Sequence, residues 1–77
     1  MVSQEEFIAS FAASLEVDPG AIAPETRLED IDQLDSMGRL AVLAMIDTEC
    51  SLVLDAEAFD TCETVGCLYE HVKSLAG

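Results

Sequence analysis

Apolar residues near the beginning of the chain recur at the three- and four-residue spacing of an amphipathic helix. The residues that share this face are Phe7, Ile8, Phe11, Ala12 and Leu15. Ser3 and Glu6 match a capping box, in which the serine caps the helix and the glutamate reaches back towards it. Proline cannot continue a helix, and glycine tolerates the turn that ends one. The pattern therefore predicts a first helix that begins at Ser3 and is stopped by Asp18-Pro19-Gly20.

A second apolar run predicts a helix over residues 36–49. Its predicted stripe is Met37, Leu40, Leu43 with Ala44, and Cys50, and Val42, Met45 and Ile46 widen the apolar surface. A helix this hydrophobic is either the most buried one or in part a surface for a partner. Gly38 in its first turn costs about 1 kcal/mol relative to alanine. Something other than helix propensity must therefore account for this glycine.

The connection over residues 21–35 is long and acidic, but apolar residues are spaced through it. These residues are Ile22, Leu28, Ile31 and Leu34. A structureless loop of this length is unusual in a compact domain, so we expect these side chains to pin the loop to the core.

The C-terminal part of the chain predicts two more helices. Residues 51–54 are expected to form an extended, buried connector, and Asp55 to cap a single helical turn over residues 56–59. The last helix is expected over residues 64–75. Its predicted apolar face is Val65, Leu68, Val72 and Leu75, with Tyr69 at the edge. The whole pattern predicts one domain over residues 1–77, an all-α four-helix bundle with a short third helix and a long first connection.

The charge of the chain is extreme for its size and limits the possible partners. The 77 residues carry a formal charge of −13, with only Arg27, Arg39 and Lys73 as basic residues. Binding of nucleic acids and of anionic membranes needs a basic surface, so we expect neither partner. Long-range attraction instead favours proteins with basic surfaces. Hydrophobic residues make up 51% of the chain, which is typical of a folded domain rather than a disordered acidic tail.

The sequence also predicts a cytoplasmic location. The N-terminal residues lack a basic segment followed by an apolar run, so we expect no signal peptide. No apolar stretch reaches the length of a membrane span. Cys50, Cys62 and Cys67 form an odd set, which without an export signal is typical of reduced thiols.

The tetrapeptide Leu34-Asp35-Ser36-Met37 places a serine hydroxyl where the acidic loop passes into the second helix. Backbone N–H groups at the start of a helix favour a neighbouring anion, so Ser36 suits the covalent attachment of a phosphate-linked group. Aspartate and serine are also favoured as helix caps. The tetrapeptide alone therefore favours a simple capping role for Asp35 or Ser36, and the rest of the chain is needed to reverse that preference.

The order of these features resembles an acyl carrier protein over residues 5–75. A long acidic loop leads to Asp35-Ser36-Met37 at the start of the second helix, and a short helix and a final helix follow. Met37 stands where the triplet of this family usually has leucine. Further matches are Leu43, Ile46, Asp47, Glu49, Val53-Leu54-Asp55 and Thr64-Val65.

The resemblance implies a carrier that is not itself an enzyme. A phosphopantetheinyl transferase would move 4′-phosphopantetheine from coenzyme A to the Ser36 Oγ, and the terminal thiol would then hold acyl groups as thioesters. Asp35 would bind the transferase or a metal-bridged phosphate, and Met37 would offer an apolar contact. Acyl-loading and acyl-processing enzymes with basic docking surfaces would bind around the second helix. The candidate contacts there are Arg39, Asp47 and Glu49, and we expect a monomer.

Departures from the family pattern favour a discrete carrier for a specialised pathway, such as a polyketide or hybrid peptide route. Arg39 and Ala41 stand where acidic residues are often found, Gly38 replaces a polar residue, and Cys50 replaces a large aromatic one. A fatty acid synthesis carrier and a peptidyl carrier remain alternatives, although peptidyl carriers are usually less acidic. The competing class is a small acidic protein-interaction module in which Ser36 is only a helix cap.

Other possible sites lack essential groups, so we expect no metal site and no catalytic site. The acidic loop fails the calcium-loop pattern, because Leu34 and Ala41 stand where ligands belong. Cys67 and His71 are spaced to meet on one helix face, but the remaining zinc ligands are missing. We expect Cys67 to pack as a small apolar residue and His71 to lie at the surface or its boundary. Ser36 as a nucleophile would need a base, and no orienting partner for His71 is evident.

Overall fold

Four helices account for most of the chain in the computed structural model, which describes residues 3–76. They are α1 (Gln4–Ser14), α2 (Ser36–Cys50), α3 (Ala58–Thr61) and α4 (Val65–Ala76). Two short 3-10 turns, Pro19–Ala21 and Leu28–Asp30, lie in the connection between α1 and α2. Within residues 3–76 there is no strand beyond one isolated bridge between Arg27 and Thr64. The predicted all-α architecture is confirmed, while residues 1, 2 and 77 of the predicted domain lie outside the described residues.

The capping box at the start of α1 is confirmed, but the predicted stop of this helix is wrong. The Glu6 N–H donates to the Ser3 Oγ at 3.2 Å, and the Ser3 hydroxyl donates to Glu6 Oε1 at 3.3 Å. The helix ends at Ser14, because Glu16 adopts a left-handed conformation (φ 58°) and the Val17 N–H turns back to the Ala12 carbonyl at 3.0 Å. Asp18-Pro19-Gly20 therefore begins the next turn instead of ending this helix.

The core is built from residues of all four helices and from the long connection. Phe7, Phe11, Val42, Ile46, Val65, Leu68 and Val72 are fully buried. Ile22, Leu28, Ile31 and Leu34 of the connection are buried as well, which confirms that the loop is pinned to the core. The backbone reinforces this packing, since the Gly66 N–H donates to the Pro24 carbonyl at 2.8 Å and the Leu28 N–H to the Glu63 carbonyl at 2.9 Å. The acidic loop is thereby held as a fixed support for the start of α2.

The predicted apolar stripe of α2 is wrong. Gly38, Val42 and Ile46 form its buried face, while the Met37 and Leu40 side chains are 80% and 66% exposed. This helix carries apolar residues around most of its circumference, so their spacing does not select a face. Gly38 determines which face is buried, because the absence of a side chain lets this face of the helix pack closely against Gln33 and Leu15.

The connector and the third helix differ from their predictions in detail. Leu54 is buried, but Val53 is 87% exposed, so the connector is only partly buried. Helix α3 begins at Ala58, two residues later than predicted. Asp55 accepts from the Glu57 N–H at 3.0 Å and stabilises the turn before the helix instead of capping its first residue.

The last helix has its predicted position but a shifted buried face. Val65, Leu68 and Val72 are buried as expected, whereas Leu75 is 56% exposed and Tyr69 is buried. The Tyr69 ring packs against Phe7, with ring centroids 5.4 Å apart. The shift occurs because α1 meets α4 on the side of Tyr69, which was predicted to lie at the edge.

The predicted packing of Cys67 is wrong, and another cysteine is buried near α4. Cys67 in the first turn of α4 is exposed, which corrects its predicted apolar packing. Cys62, just before the helix, is buried in the core instead. His71 is partly exposed, as expected for a residue at the surface boundary.

Candidate functional site

Asp35 and Ser36 have different structural roles at the start of α2. The Asp35 carboxylate caps the helix by accepting from the Gly38 N–H at 2.9 Å. Ser36 follows as the first helical residue, and it is exposed. Its hydroxyl makes no hydrogen bond to any residue between positions 3 and 76. The interpretation of Ser36 as the helix cap is therefore wrong, and its hydroxyl is exposed at the surface.

Gly38 explains how the helix start is held in place. A Cβ atom at this position would collide with the Gln33 backbone carbonyl oxygen and lie 3.0 Å from Leu15 Cδ2. The acidic loop and the end of α1 thus press directly against the first turn of α2. Buried Leu34 anchors the loop immediately before the capping residue. The serine is consequently exposed on a rigid support.

Exposed apolar side chains flank the serine. Met37 follows Ser36 directly, and Leu40 lies one helical turn further along. Exposed Asp32 and Asp35 add negative charge on the loop side. The serine hydroxyl therefore lies on a surface that combines exposed apolar and acidic groups.

The predicted partner contacts do not form one cluster. Asp47 and Glu49 are exposed, but they lie near the other end of α2, about 16 Å and about 20 Å along the axis from Ser36. The Arg39 side chain is only 44% exposed. It packs over the Phe59 ring, with the guanidinium carbon 5.6 Å from the ring centroid.

The arrangement of Arg39, Phe59 and Asp60 was missed by the sequence reasoning. Arg39 Nη1 lies 3.9 Å from Asp60 Oδ1, a long ion pair between two partly exposed side chains. Twenty positions separate Arg39 from Phe59, so no local spacing signals their contact. Packing of α3 against α2 alone brings these residues together.

Two of the three thiols, those of buried Cys62 and partly buried Cys50, have a raised pKa. Burial and a hydrogen bond with Cys67 raise the pKa of Cys62 to about 11 from its ordinary value of 9.0. Burial, and to a lesser extent the neighbouring Glu49 carboxylate, raise the pKa of Cys50. Thiolate is the reactive form of a thiol, so Cys50 and Cys62 are both weak nucleophiles near neutral pH.

The raised pKa of Cys62 predicts a loss of stability at alkaline pH. The unfolded thiol ionises near 9.0, before the folded one at about 11. Its stabilising contribution is therefore complete below pH 9 and is lost as the pH rises towards 11.

Iodoacetamide at pH 8 should label Cys67 first and Cys62 only on unfolding. Mass spectrometry of the digested protein checks this order, and rapid labelling of native Cys62 would contradict it.

The geometry fits a phosphate-linked prosthetic group. Ser36 offers an unbonded hydroxyl at the N-terminal end of a 15-residue helix, where the helix dipole favours an anion.

No described helix is both long enough and apolar enough to cross a bilayer. Among residues 3–76, no three histidine, cysteine, aspartate or glutamate side chains are grouped to hold a metal ion.

Comparison with known proteins identifies the family. The family model described as a phosphopantetheine attachment site matches residues 5–72, most of the 77-residue chain. No curated protein and no solved structure matches the chain. The matched segment includes all of the acidic loop, the free serine hydroxyl and α2. The chain belongs to the family of phosphopantetheine-binding acyl and peptidyl carrier proteins.

Proposed function

We propose that Ser36 is the residue to which 4′-phosphopantetheine is attached. The proposal rests on one observation at the start of α2. Asp35 caps the helix, so the Ser36 hydroxyl is left exposed and without a hydrogen bond among the described residues. In the attachment step, the Ser36 Oγ forms a new bond to phosphorus and the diphosphate bond of coenzyme A breaks. Adenosine 3′,5′-bisphosphate leaves, and the hydroxyl proton passes to a base of the transferase.

When bound, the group supplies a flexible arm with a terminal thiol that holds acyl intermediates as thioesters. The chain positions the arm through the rigid first turn of α2, and exposed Met37 and Leu40 offer apolar surface beside it. Carrier domains of this family are not catalytic. The chemistry on the acyl group belongs to partner enzymes with basic docking surfaces, for which Arg39, Asp47 and Glu49 are the proposed contacts on α2.

A specialised polyketide or hybrid pathway is the proposed setting. Arg39 and Ala41 stand where the family often has acidic residues, and the Arg39 side chain instead contacts Phe59 and Asp60. The charge of −13 makes a peptidyl carrier the less favoured alternative, and a fatty acid synthesis carrier is the other. We further propose that the chain forms a single domain, acts as a monomer and works in the cytoplasm.

Intact-mass measurement tests the attachment directly. The unmodified protein is incubated with coenzyme A, magnesium and a promiscuous phosphopantetheinyl transferase, and it should gain the mass of one phosphopantetheinyl group. Trypsin cuts after Arg27 and Arg39 and releases residues 28–39, in which Ser36 is the only hydroxyl-bearing residue. The added mass should reside in this peptide. No gain under conditions that load a control carrier, or a gain in another peptide, would overturn the proposal.

Asp35 is proposed to contact the transferase, or a metal-bridged phosphate, in addition to its capping role. One carboxylate oxygen accepts the Gly38 N–H, and the residue is exposed. Asp35→Asn retains a good capping residue, so its stability should stay close to wild type while its loading rate falls. Asp35→Ala should lose loading rate and also about 0.5–2 kcal/mol of stability. Urea unfolding measures the stability effect and timed mass spectra measure the loading rate. If Asp35→Asn loads at the wild-type rate, Asp35 has only its helix-capping role.

The surface charge predicts a clear response of stability to salt. Sixteen acidic residues face three basic ones, so their mutual repulsion opposes folding. Salt screens exposed charges over about 10 Å at 0.1 M and about 3 Å at 1 M. Raising sodium chloride from low concentration to 0.5 M should therefore raise the melting temperature measured by circular dichroism. A flat response would show that self-repulsion is not a major term in the stability of this fold.

A further inference from the structure

Cys62 and Cys67 are two thiols that the proposed carrier function does not use, and they lie side by side in the fold. Cys62 follows the last residue of α3 in an extended conformation, and Cys67 is the third residue of α4. The Cys67 N–H donates to the Thr64 Oγ1 at 3.0 Å, so the first turn of α4 is fixed beside the connection from α3. The two side chains are in contact, since the thiols share a hydrogen bond.

The two thiols differ in their access to solvent. Cys67 is exposed, whereas Cys62 is 4% exposed and belongs to the core. A reagent in solution therefore reaches Cys67 first. Burial does not shield Cys62 from the neighbouring sulfur, which is already its hydrogen-bond partner. One accessible thiol beside one sheltered thiol suits thiol–disulfide exchange in two steps, of which the second needs no further reagent.

The contact with Cys67 also affects the reactivity of Cys62. Burial is the largest cause of the Cys62 pKa of about 11, and the hydrogen bond with Cys67 and the charge of Cys67 raise it as well. A Cys67 sulfur bonded to another sulfur cannot ionise, so its repulsion of a Cys62 thiolate disappears. Reaction of Cys67 should therefore ease the ionisation of Cys62 and favour its attack on the adjacent sulfur.

The charges near Cys67 determine which oxidant can approach it. Glu63 precedes it and Glu70 lies one helical turn further along α4, and both are exposed. Lys73 lies in the last turn of this helix. The chain as a whole carries a charge of −13, so an anionic reagent is repelled and a cationic one is attracted.

We propose that Cys62 and Cys67 form a reversible disulfide by exchange with a small disulfide that carries no negative charge. The Cys67 thiolate attacks one sulfur of this reagent, its S–S bond breaks, and one small thiolate leaves. Cys62 Sγ then attacks Cys67 Sγ and displaces the second small thiolate. The two protein thiols are oxidised and the reagent is reduced, and the two thiol protons end on the two small thiols. An excess of small thiol reverses both steps.

The disulfide fastens the end of α3 to the first turn of α4. Helix α3 has only four residues, and its Phe59 contacts Arg39 of α2, the helix that begins at Ser36. The reaction needs no group on Ser36, so it is tested on the unmodified protein. The linked protein should melt several degrees above the reduced one, because a cross-link restricts the unfolded chain. Equal melting temperatures would contradict this fastening of α3.

Peptide mapping of the wild-type protein tests the pairing. The reduced protein is incubated with cystamine, quenched with acid and alkylated with N-ethylmaleimide. A protease that cuts after glutamate places the three cysteines in separate peptides, residues 50–57, 58–63 and 64–70. The main product should link 58–63 to 64–70 and leave Cys50 alkylated. A link to Cys50, a disulfide between two chains, cysteamine retained on Cys67 or an absence of reaction would overturn the inference.

Variants test the order of attack. Cys62→Ala should retain cysteamine on Cys67, because the second thiol is missing. Cys67→Ser should react with cystamine at least tenfold more slowly than wild type. Cys50→Ala is the matched control and should form the link at the wild-type rate, because the pKa of Cys50 is raised by burial and by Glu49 rather than by another thiol.

A comparison of reagents on the wild-type protein tests the role of charge and needs no variant to fold. At low salt, cystamine, which is cationic, should form the link at least tenfold faster than glutathione disulfide, which is anionic. The opposite order would contradict the selection of the oxidant by charge. A Cys67→Ser protein that reacts as fast as wild type would overturn the assignment of Cys67 as the first thiol.

Discussion

Ser36→Ala should abolish phosphopantetheine loading completely while leaving the fold intact. The Ser36 hydroxyl makes no hydrogen bond within the described residues, and the side chain is exposed, so its removal takes away no structural contact. Alanine also suits a helical position better than serine. We therefore expect the free energy of unfolding to stay within about 0.5 kcal/mol of wild type. Intact mass after incubation with coenzyme A and transferase measures loading, and urea unfolding measures stability.

The matched control for this variant is Ser74→Ala. Ser74 is also an exposed helical serine, but it lies in α4, away from the acidic loop. The Ser74→Ala protein should gain the phosphopantetheinyl group as wild type does. A Ser36→Ala protein that still gains the phosphopantetheinyl mass would place the attachment elsewhere. A stability loss well above 1 kcal/mol would show that the hydroxyl has a structural role after all.

Gly38→Ala should destabilise the protein by about 1–3 kcal/mol, the usual cost of forcing extra volume into a packed site. Helix propensity alone predicts the opposite sign, a gain of about 1 kcal/mol. We expect the steric clash to outweigh helix propensity. The added Cβ would meet the Gln33 carbonyl oxygen, which belongs to the backbone and cannot rotate away. The expected loss is large for a domain of this size, whose core supplies roughly 3–5 kcal/mol in total.

Gly20→Ala is the matched control for the glycine prediction. A Cβ at Gly20 would lie 3.3 Å from Asp18 Oδ1, an exposed side-chain atom that accepts the Gly20 N–H and can shift by a few tenths of an ångström. We expect its effect on the free energy of unfolding to stay within about 1 kcal/mol. Urea unfolding of both variants gives the comparison. A Gly38→Ala protein as stable as wild type would mean that the loop before α2 yields easily, and Ser36 would then lack its rigid support.

The elements of the fold could be predicted from local patterns because their signals lie within a few residues. Ser3 and Glu6 mark the start of α1, and buried Ile31 and Leu34 show how a long acidic loop is attached to the core. The end of α1 could not be predicted in this way. Glu16 accepts a left-handed conformation that is more typical of glycine, so the helix ends before the proline that should have stopped it.

The candidate site shows the same division. The sequence predicted Ser36 and its neighbours as the candidate site, because the triplet, the acidic loop and the following helix are adjacent in the chain. It did not resolve whether Asp35 or Ser36 caps the helix, since both residue types suit that position. The backbone geometry resolved this point by aiming Asp35 Oδ1 at the Gly38 N–H.

By itself, the sequence determined the helical class, the strongly acidic surface and the serine at the start of the second helix, because composition and short-range spacing carry that information. Only the tertiary structure decided which face of α2 is buried, why position 38 is glycine, and that Arg39 meets Phe59 and Asp60. The physical reason is that α2 is apolar on nearly every side. Its orientation depends on the close approach of distant segments, which no local pattern encodes.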